Sequence, residues 1–261
     1  MRIASSIGTA SNLEEYLSLV NRQVESHGAP FGTNAYLFRG QADEAWPLAP
    51  GIERHRRVSA STENRMLEEF KRRAVPYVES SHSLSDLDWL SIAQHHGMPT
   101  RLLDWTANAL CALWFAIHKP VELVETPGLR CAAVWMLLCR TDDWIRDDER
   151  GAPLQIRGTK LFEPAHISRR ICAQDGFFTV RAREPSGSNS RLMPLDVDPG
   201  YCEMLGYIKV PSTSFGLVRG QLQVEGITLA TLFPDLDGVA RAVAATHCYP
   251  DDQMQIAGEM R

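Results

Sequence analysis

One stretch of the chain, residues 89–118, concentrates the side chains that could do chemistry. Two adjacent histidines, His95 and His96, precede Arg101 and Asp104 in a segment that also contains a glycine and a proline. A histidine can act as a general base or bind a metal, and an arginine near an aspartate can bind an anion or form an ion pair. A metal site needs further ligands at defined spacing, and none follows, so no metal is expected. The segment predicts a polar pocket.

The element expected to position these groups is a buried central helix. From Ala107 to Ile117, apolar residues cover almost every helical face. Asp104 and Thr106 precede this run and are residue types that cap helices, so the helix is expected to begin there. Residues 95–101 are polar, which predicts a shaped loop or the start of a strand. Polar groups at the N-terminus of a buried helix form an anion site.

A second candidate is an arginine inside an apolar strand. Residues 35–41 are aromatic and β-prone, and Arg39 lies between Phe38 and Gly40. An arginine there is rarely buried unless it is paired or reaches a cavity. Gly40 would let a ligand or another backbone approach closely. Two interpretations stay open, an anion-binding arginine or a structural ion pair, for example with Asp104.

The other polar candidates lie in less informative surroundings. Gln174, Asp175 and Glu184 fall in or after a predicted strand–turn–strand over residues 168–182. The basic cluster at residues 54–57 is typical of a solvated face. The chain has no G-x-S-x-G, P-loop or G-x-G-x-x-G motif, so hydrolase, phosphate-loop and Rossmann interpretations lack support.

Composition limits the class of protein. The 261 residues, 44% hydrophobic and 23% charged, are typical of a soluble globular chain. A net charge of −5 argues against a nucleic-acid binder. No apolar run reaches the ~18 residues of a transmembrane helix, so no membrane partner is expected. The cysteines form no C-x-x-C pair and the first residues lack a signal-peptide core, so we expect a cytoplasmic protein.

The order of predicted elements indicates a single α+β domain. The sequence predicts a mixed small sheet, a buried central helix and several flanking helices. Further strands are expected at residues 131–138 and 207–210. Flanking helices are expected to begin at a capping box at residues 11–14 and to cover residues 61–78, 84–93, 215–226 and 239–245. Residues 184–200, rich in Pro, Gly, Ser and Asn, predict an insertion or a mobile loop.

Two long motifs resemble those of the FRG domain family. The first is Phe38-Arg39-Gly40-Gln41, followed by Trp46, Leu48, Pro50 and Arg54. The second is Gln94-His95-His96-Gly97, followed by Pro99-Thr100-Arg101-Leu102-Leu103-Asp104-Trp105-Thr106. Later matches are at residues 174–177 and 232–238. The resemblance implies an FRG domain over residues 11–245 and a C-terminal tail over residues 246–261, in a family that is widespread in bacteria and phage-related settings.

A weaker resemblance is to ADP-ribosyltransferases. An aromatic-Arg-Gly strand, a strand ending in Thr106 before an alanine-rich helix, and a late hairpin are similar to that group. The resemblance implies an ADP-ribosyltransferase-like fold and NAD as a substrate, with Arg39 on its phosphates and ribose and Thr106 supporting the nicotinamide pocket. The group's catalytic glutamate would fall near Gln174, which cannot act as a base. The carboxylates that could replace it are Asp104, Asp175 and Glu184.

These residues and resemblances together predict one site. The catalytic candidates are His95, His96, Asp104 and Gln174. The ligand-binding candidates are Arg39, Gly40, Gln41, Gln94, Thr100, Arg101, Trp105 and Thr106. We expect Arg39, one of the two histidines, Arg101 and Asp104 to converge on one pocket.

Two functions stay open for this site. The first is an NAD-using ADP-ribosyltransferase or NAD glycohydrolase that acts as a toxin or in phage defence. The second is a non-catalytic module that binds a nucleotide or a protein on the same scaffold. A nuclease that uses His95 or His96 is disfavoured, because nucleic acid requires a basic track. The sequence does not identify a macromolecular acceptor.

Overall fold

A seven-stranded sheet organises the chain. The computed structural model describes residues 4–28, 36–55, 58–78, 83–118, 131–165, 172–186, 189–201 and 203–248. The strands are β1 (Ser5–Thr9), β2 (Tyr36–Gln41), β3 (Leu102–Thr106), β4 (Cys131–Leu138), β5 (Thr159–Phe162), β6 (Gly176–Arg181), β7 (Glu184–Ser186), β8 (Asn189–Arg191) and β9 (Leu205–Pro211). The helices are α1 (Leu13–Ser26), α2 (Ala60–Ala74), α3 (Asp86–His95), α4 (Ala109–Ile117), α5 (Phe215–Val224), α6 (Leu229–Leu232) and α7 (Leu236–Cys248).

The main sheet is mixed, and its strand order is β1-β9-β4-β2-β3-β6-β5. Only β1 and β9 run parallel among these neighbouring pairs of the described residues. β7 and β8 form a separate two-stranded ribbon. The α+β prediction is confirmed. None of the described helices is both long enough and apolar enough to cross a bilayer.

Strand β4 lies inside the sheet, between β9 and β2, and is buried on both faces. Ala132, Val134 and Met136 pack into a core with α1, α4 and α5. The intervening Ala133, Trp135 and Leu137 pack into a second core on the other face. A strand without a solvent face has a continuous apolar sequence. The prediction of such a strand at residues 131–138 is confirmed.

The central helix α4 lies directly on β2, and Gly40 makes this possible. A Cβ built on Gly40 would lie 2.5 Å from the backbone nitrogen of Ala116 and closer still to the carbonyl oxygen of Ala112. Both alanines are completely or almost completely buried. The close approach that a glycine in this strand allows is therefore the approach of another backbone.

The start of the central helix differs from the prediction. Asp104 and Thr106 belong to β3, which pairs with β6, and the helix begins only at Ala109. Its N-cap is Asn108, whose side-chain oxygen accepts hydrogen bonds from the backbone N–H groups of Leu110 and Cys111. An asparagine in this position satisfies two N–H groups of the first turn, so neither earlier residue is needed as a cap.

The histidines also differ from the prediction of a loop or strand start. Helix α3 extends to His95, and His96 is its C-cap residue. The capping box of this helix, formed by Ser85 and Asp88, fixes its first turn. The two side chains therefore leave the end of a helix and do not alternate across a strand.

Residues 184–200 are also more ordered than the prediction of an insertion or mobile loop. The described part contains β7, β8 and a 3-10 turn at Leu195–Val197, in which Leu195 is buried. Strands β1 and β5 were not predicted, because each is short and lies at an edge of the sheet. Within the described part of the predicted strand–turn–strand, β6 is the only strand, and its partners are β3 and β5. Residues 168–171 and 249–261 lie outside the described residues, and the domain bounds 11–245 and 246–261 stay predictions.

Replacing Gly40 with alanine should lower the free energy of unfolding by about 3 kcal/mol or prevent folding, because the new methyl group would collide with the backbone of α4. Gly51 is the matched control, since a Cβ added there would meet nothing within 4 Å. Gly51→Ala should change stability by no more than about 1 kcal/mol. Urea denaturation followed by circular dichroism measures both. Equal stability of the two variants would contradict the close packing.

Candidate functional site

A cleft of about 430 Å³ opens where β2, β3 and β6 meet the ends of α3 and α4. Its lining includes nine of the residues predicted for the site, namely Arg39, Gly40, Gln41, Gln94, His95, Asp104, Trp105, Thr106 and Gln174. These residues come from segments far apart in the chain. The structure therefore brings most of the predicted site together.

Arg39 and Asp104 form the polar centre of this cleft. The Nη1 of Arg39 donates a hydrogen bond to the carbonyl oxygen of Asp104 at 2.7 Å and lies 3.5 Å from its carboxylate Oδ2. The Asp104 side chain remains 59% exposed. Neither Nε nor Nη2 of Arg39 bonds to a described residue, and Nε is buried. Pairing with Asp104 thus leaves Nε and Nη2 of the guanidinium without a hydrogen bond to a described residue.

Gln94 holds the carboxylate of Asp104 in place. Its Nε2 donates a hydrogen bond to Asp104 Oδ1 at 2.6 Å, and its Oε1 accepts one from the hydroxyl of Thr100. Thr100 is buried, and its Oγ1 also accepts the backbone N–H of Leu102 at 3.1 Å. A chain of hydrogen bonds therefore connects the end of α3 to the exposed carboxylate on β3. Thr100 contributes to the site through Gln94 and does not line the cleft.

Burial and the neighbouring charges shift the pKa of Arg39 in opposite directions. Burial lowers the pKa of the Arg39 guanidinium, and the charge and hydrogen bond of Asp104 offset part of this effect. The positive charge of Arg54, which lines the same cleft, lowers this pKa further. Asp104 is the only carboxylate among the described residues that line the cleft.

Several predicted ligand-binding residues line the cleft but use their polar atoms elsewhere. Gln41 accepts a hydrogen bond from Trp135 Nε1 at 2.6 Å and donates one to the Pro47 carbonyl at 3.2 Å. Trp105 is buried, and its Nε1 donates to Thr179 Oγ1 at 3.2 Å. These contacts stabilise the walls of the cleft.

The Thr106 and Gln174 contacts join β3 to the turn before β6. The Thr106 hydroxyl donates to the Gln174 carbonyl at 2.6 Å, and the Gln174 amide donates to the Leu232 carbonyl at 3.0 Å. Asp175, the next residue, is exposed with φ = 47° and is not part of the cleft lining. Burial raises the pKa of the nearby Cys111 thiol to about 12, so this thiol is protonated at neutral pH.

Two predicted site residues, Arg101 and His96, are not brought to the cleft. Arg101 is 2% exposed, and its Nε donates to Glu63 Oε2 at 2.7 Å. Its Nη1 donates to the Arg181 carbonyl at 3.2 Å, and Arg183 also pairs with Glu63. His96 is exposed, and only its neighbour His95 lines the cleft. The expected convergence of Arg101 with Arg39 is wrong, because a buried ion cluster holds Arg101.

The cleft also contains residues that were not predicted. Aromatic side chains form much of its wall, and they include Trp46, Phe115, His118, Phe177, Phe178 and Phe233. Such residues give no chemical signal in a sequence, since most aromatic residues belong to the core. Arg54 was assigned to a solvated face, although its place in the first long motif was a signal.

Within the described residues, no group of three or more His, Cys, Asp or Glu side chains could hold a metal ion.

A comparison with protein families matches residues 34–123 to the FRG domain. The chain contains an FRG domain. The matched segment holds Arg39, Arg54 and Asp104, which are the arginines and the carboxylate of the described cleft lining, together with Gln94. Comparisons with curated proteins and with solved structures give no match. They add no support for the weaker resemblance to ADP-ribosyltransferases.

Replacing Arg101 with methionine should lower the free energy of unfolding by about 3 kcal/mol, because one partner of a buried ion pair is lost. Arg146, which pairs with Asp148 on the surface, provides the control, and Arg146→Met should change stability by less than about 1 kcal/mol. Thermal or urea unfolding compares the two. If Arg101→Met were as stable as the wild type, Arg101 would not be held by Glu63 and would be available to a ligand.

Proposed function

We propose that the cleft of this FRG domain binds NAD and cleaves the bond between nicotinamide and ribose, as an ADP-ribosyltransferase-like enzyme. The observation that carries the proposal is the Arg39–Asp104 pair, a cation and an exposed carboxylate held side by side in one cleft. Arg39 would bind a phosphate and Asp104 would act at the ribose. The proposal requires no metal.

Arg39 is suited to binding a phosphate group. A guanidinium offers planar N–H groups that match phosphate oxygens, and Arg39 uses only Nη1 in contacts with described residues. Its partial burial excludes water from one side and strengthens a charged hydrogen bond. Asp104 keeps the guanidinium oriented, because both the backbone and the side chain of Asp104 accept from the same nitrogen.

Asp104 is the group we assign to the chemical step. When the bond between ribose C1′ and nicotinamide breaks, its electron pair leaves with nicotinamide and positive charge develops on the ribose. A carboxylate beside the ribose stabilises that charge. It can also accept the proton of the water or acceptor hydroxyl whose oxygen then bonds to C1′. Gln94 would hold this carboxylate in position throughout the reaction.

The aromatic wall supports a ligand with flat rings. Ligand sites are usually concave and largely apolar, with a few polar groups that fix orientation. Phe115 and Phe233 pack edge to face, with centroids 6.0 Å apart, and both line the cleft. Trp46 also lines the cleft and is 44% exposed. Nicotinamide and adenine are rings that could stack on such side chains.

A second candidate function is nucleotide binding without chemistry. Both oxygens of the Asp104 carboxylate already interact, one with Gln94 and the other with Arg39. Gln174, in the position that the weaker resemblance gives to a catalytic glutamate, is not an acid and bonds to Leu232. In this alternative the FRG domain would recognise a nucleotide or present a protein partner with a ligand-dependent surface. A toxin or phage-defence role belongs to the catalytic alternative, in which NAD is consumed.

Calorimetric titration of NAD into wild type, Arg39→Lys and Arg39→Ala tests the binding step. Lysine keeps the charge but loses the planar fork, so we expect weaker binding than wild type. Alanine should weaken binding further, by ~1.5–3 kcal/mol. Circular dichroism checks that each variant is folded. Equal NAD affinity in all of them would remove Arg39 from the site.

The chemical step is tested by nicotinamide release from NAD by wild type and Asp104→Asn. We expect release to fall by roughly 10²-fold or more while NAD still binds, because the amide cannot accept a proton. Asp148→Asn is the control, since Asp148 also pairs with an arginine but is exposed and lies outside the cleft. NAD binding without nicotinamide release by the wild type would favour the non-catalytic alternative.

A further inference from the structure

Arg54 is held at the cleft by a short anchored turn. It is the last residue of the 3-10 turn Gly51–Arg54, in which Ile52 is buried. The backbone N–H of Ile52 donates a hydrogen bond to the Thr100 carbonyl at 3.2 Å. Thr100 is the residue whose hydroxyl bonds to Gln94. The turn that carries Arg54 is therefore fixed to the same network that orients Asp104.

No carboxylate of the described residues neutralises Arg54. The adjacent Glu53 accepts a hydrogen bond from Arg183 Nη1 at 3.0 Å. Asp104, the only carboxylate of the cleft lining within the described residues, interacts with Arg39 and Gln94. Arg54 makes no hydrogen bond or ion pair with another described residue. Two guanidinium groups thus share one cleft with a single carboxylate, an excess of one positive charge.

The two guanidinium groups lie close enough to affect each other. The charge of Arg54 contributes to the lowered pKa of Arg39. Like charges near each other in a partly enclosed site are unfavourable, and a bound anion removes the repulsion. One phosphate already suits the free nitrogens of Arg39. A phosphate bound there leaves the guanidinium of Arg54 available to a second anionic group of the same molecule.

We infer that Arg39 and Arg54 together bind a diphosphate, so that this cleft selects ligands with two linked phosphates over monophosphates. The inference rests on the proposed binding of a nucleotide and narrows its class to nucleoside diphosphates and dinucleotides. Arg54 is a specificity-determining residue in this arrangement and takes no part in bond cleavage. Each guanidinium donates to oxygens of one phosphate.

The test compares ADP with AMP by calorimetric titration. Neither molecule contains the bond that the proposed reaction cleaves, so binding is measured apart from turnover. We expect wild type to bind ADP roughly tenfold more tightly than AMP. Arg54→Gln should bring the affinity for ADP down to that for AMP and leave AMP binding nearly unchanged. Arg72→Gln is the matched control, because Arg72 is exposed and lies outside the cleft, and it should keep the preference.

The outcomes separate this inference from the proposed function. A preference for ADP that disappears in Arg54→Gln supports the inference even if the wild type releases no nicotinamide. Equal affinity of the wild type for ADP and AMP overturns it even if NAD is cleaved, as does an unchanged preference in Arg54→Gln. Absence of ADP binding by the wild type also overturns it. Circular dichroism of Arg54→Gln confirms that a lost preference does not come from unfolding.

Discussion

The contact between the backbone of α4 and strand β2 at Gly40 is the constraint on which the rest of the structure depends. It places a strongly apolar helix directly on the sheet, with no side-chain layer between them. Because the helix lies so close, Phe115 near its end reaches the cleft beside Arg39. The glycine next to Arg39 therefore serves packing, while the arginine serves the site. Two neighbouring residues of one motif have different physical roles.

Four arginines of this chain fall into two environments, a buried ion cluster and the cleft. Arg101 and Arg183 are buried with Glu63, and Arg183 also pairs with Glu53, so two carboxylates balance two guanidinium groups. Arg39 and Arg54 line a cleft in which the exposed Asp104 is the only carboxylate of the described lining. A buried ion cluster of the first kind contributes specificity of packing more than binding. The uncompensated charge at the cleft is the kind that attracts an anionic ligand.

The sequence predicts the parts of the fold whose pattern is unambiguous. Strand β4 has no solvent face and strand β2 is strongly aromatic, so both are recognised within one residue of their ends. Strand β3 was indicated only by the weaker resemblance, because Asp104 and Thr106 are also good capping residues and favoured an earlier start of the helix. Arg39 and Asp104 could be expected to meet, since each needs a partner. Arg101 could not be excluded from the site on its sequence context, because its partner Glu63 lies on a helix 38 residues away in the chain.

The cleft has a charged half and an aromatic half, and the two differ in which parts of the chain supply them. Its charged half, with Arg39, Arg54 and Asp104, lies inside the segment that matches the FRG domain. Its aromatic half draws on both parts of the chain, with Trp46 and Phe115 inside that segment and Phe177 and Phe233 outside it. The cation of Arg241 lies 4.5 Å from the centroid of the Phe233 ring. The matched segment therefore supplies the arginines and the carboxylate of the described cleft lining but only part of its aromatic wall. Substitutions in the later part of the chain can therefore reshape the aromatic wall while Arg39, Arg54 and Asp104 stay unchanged.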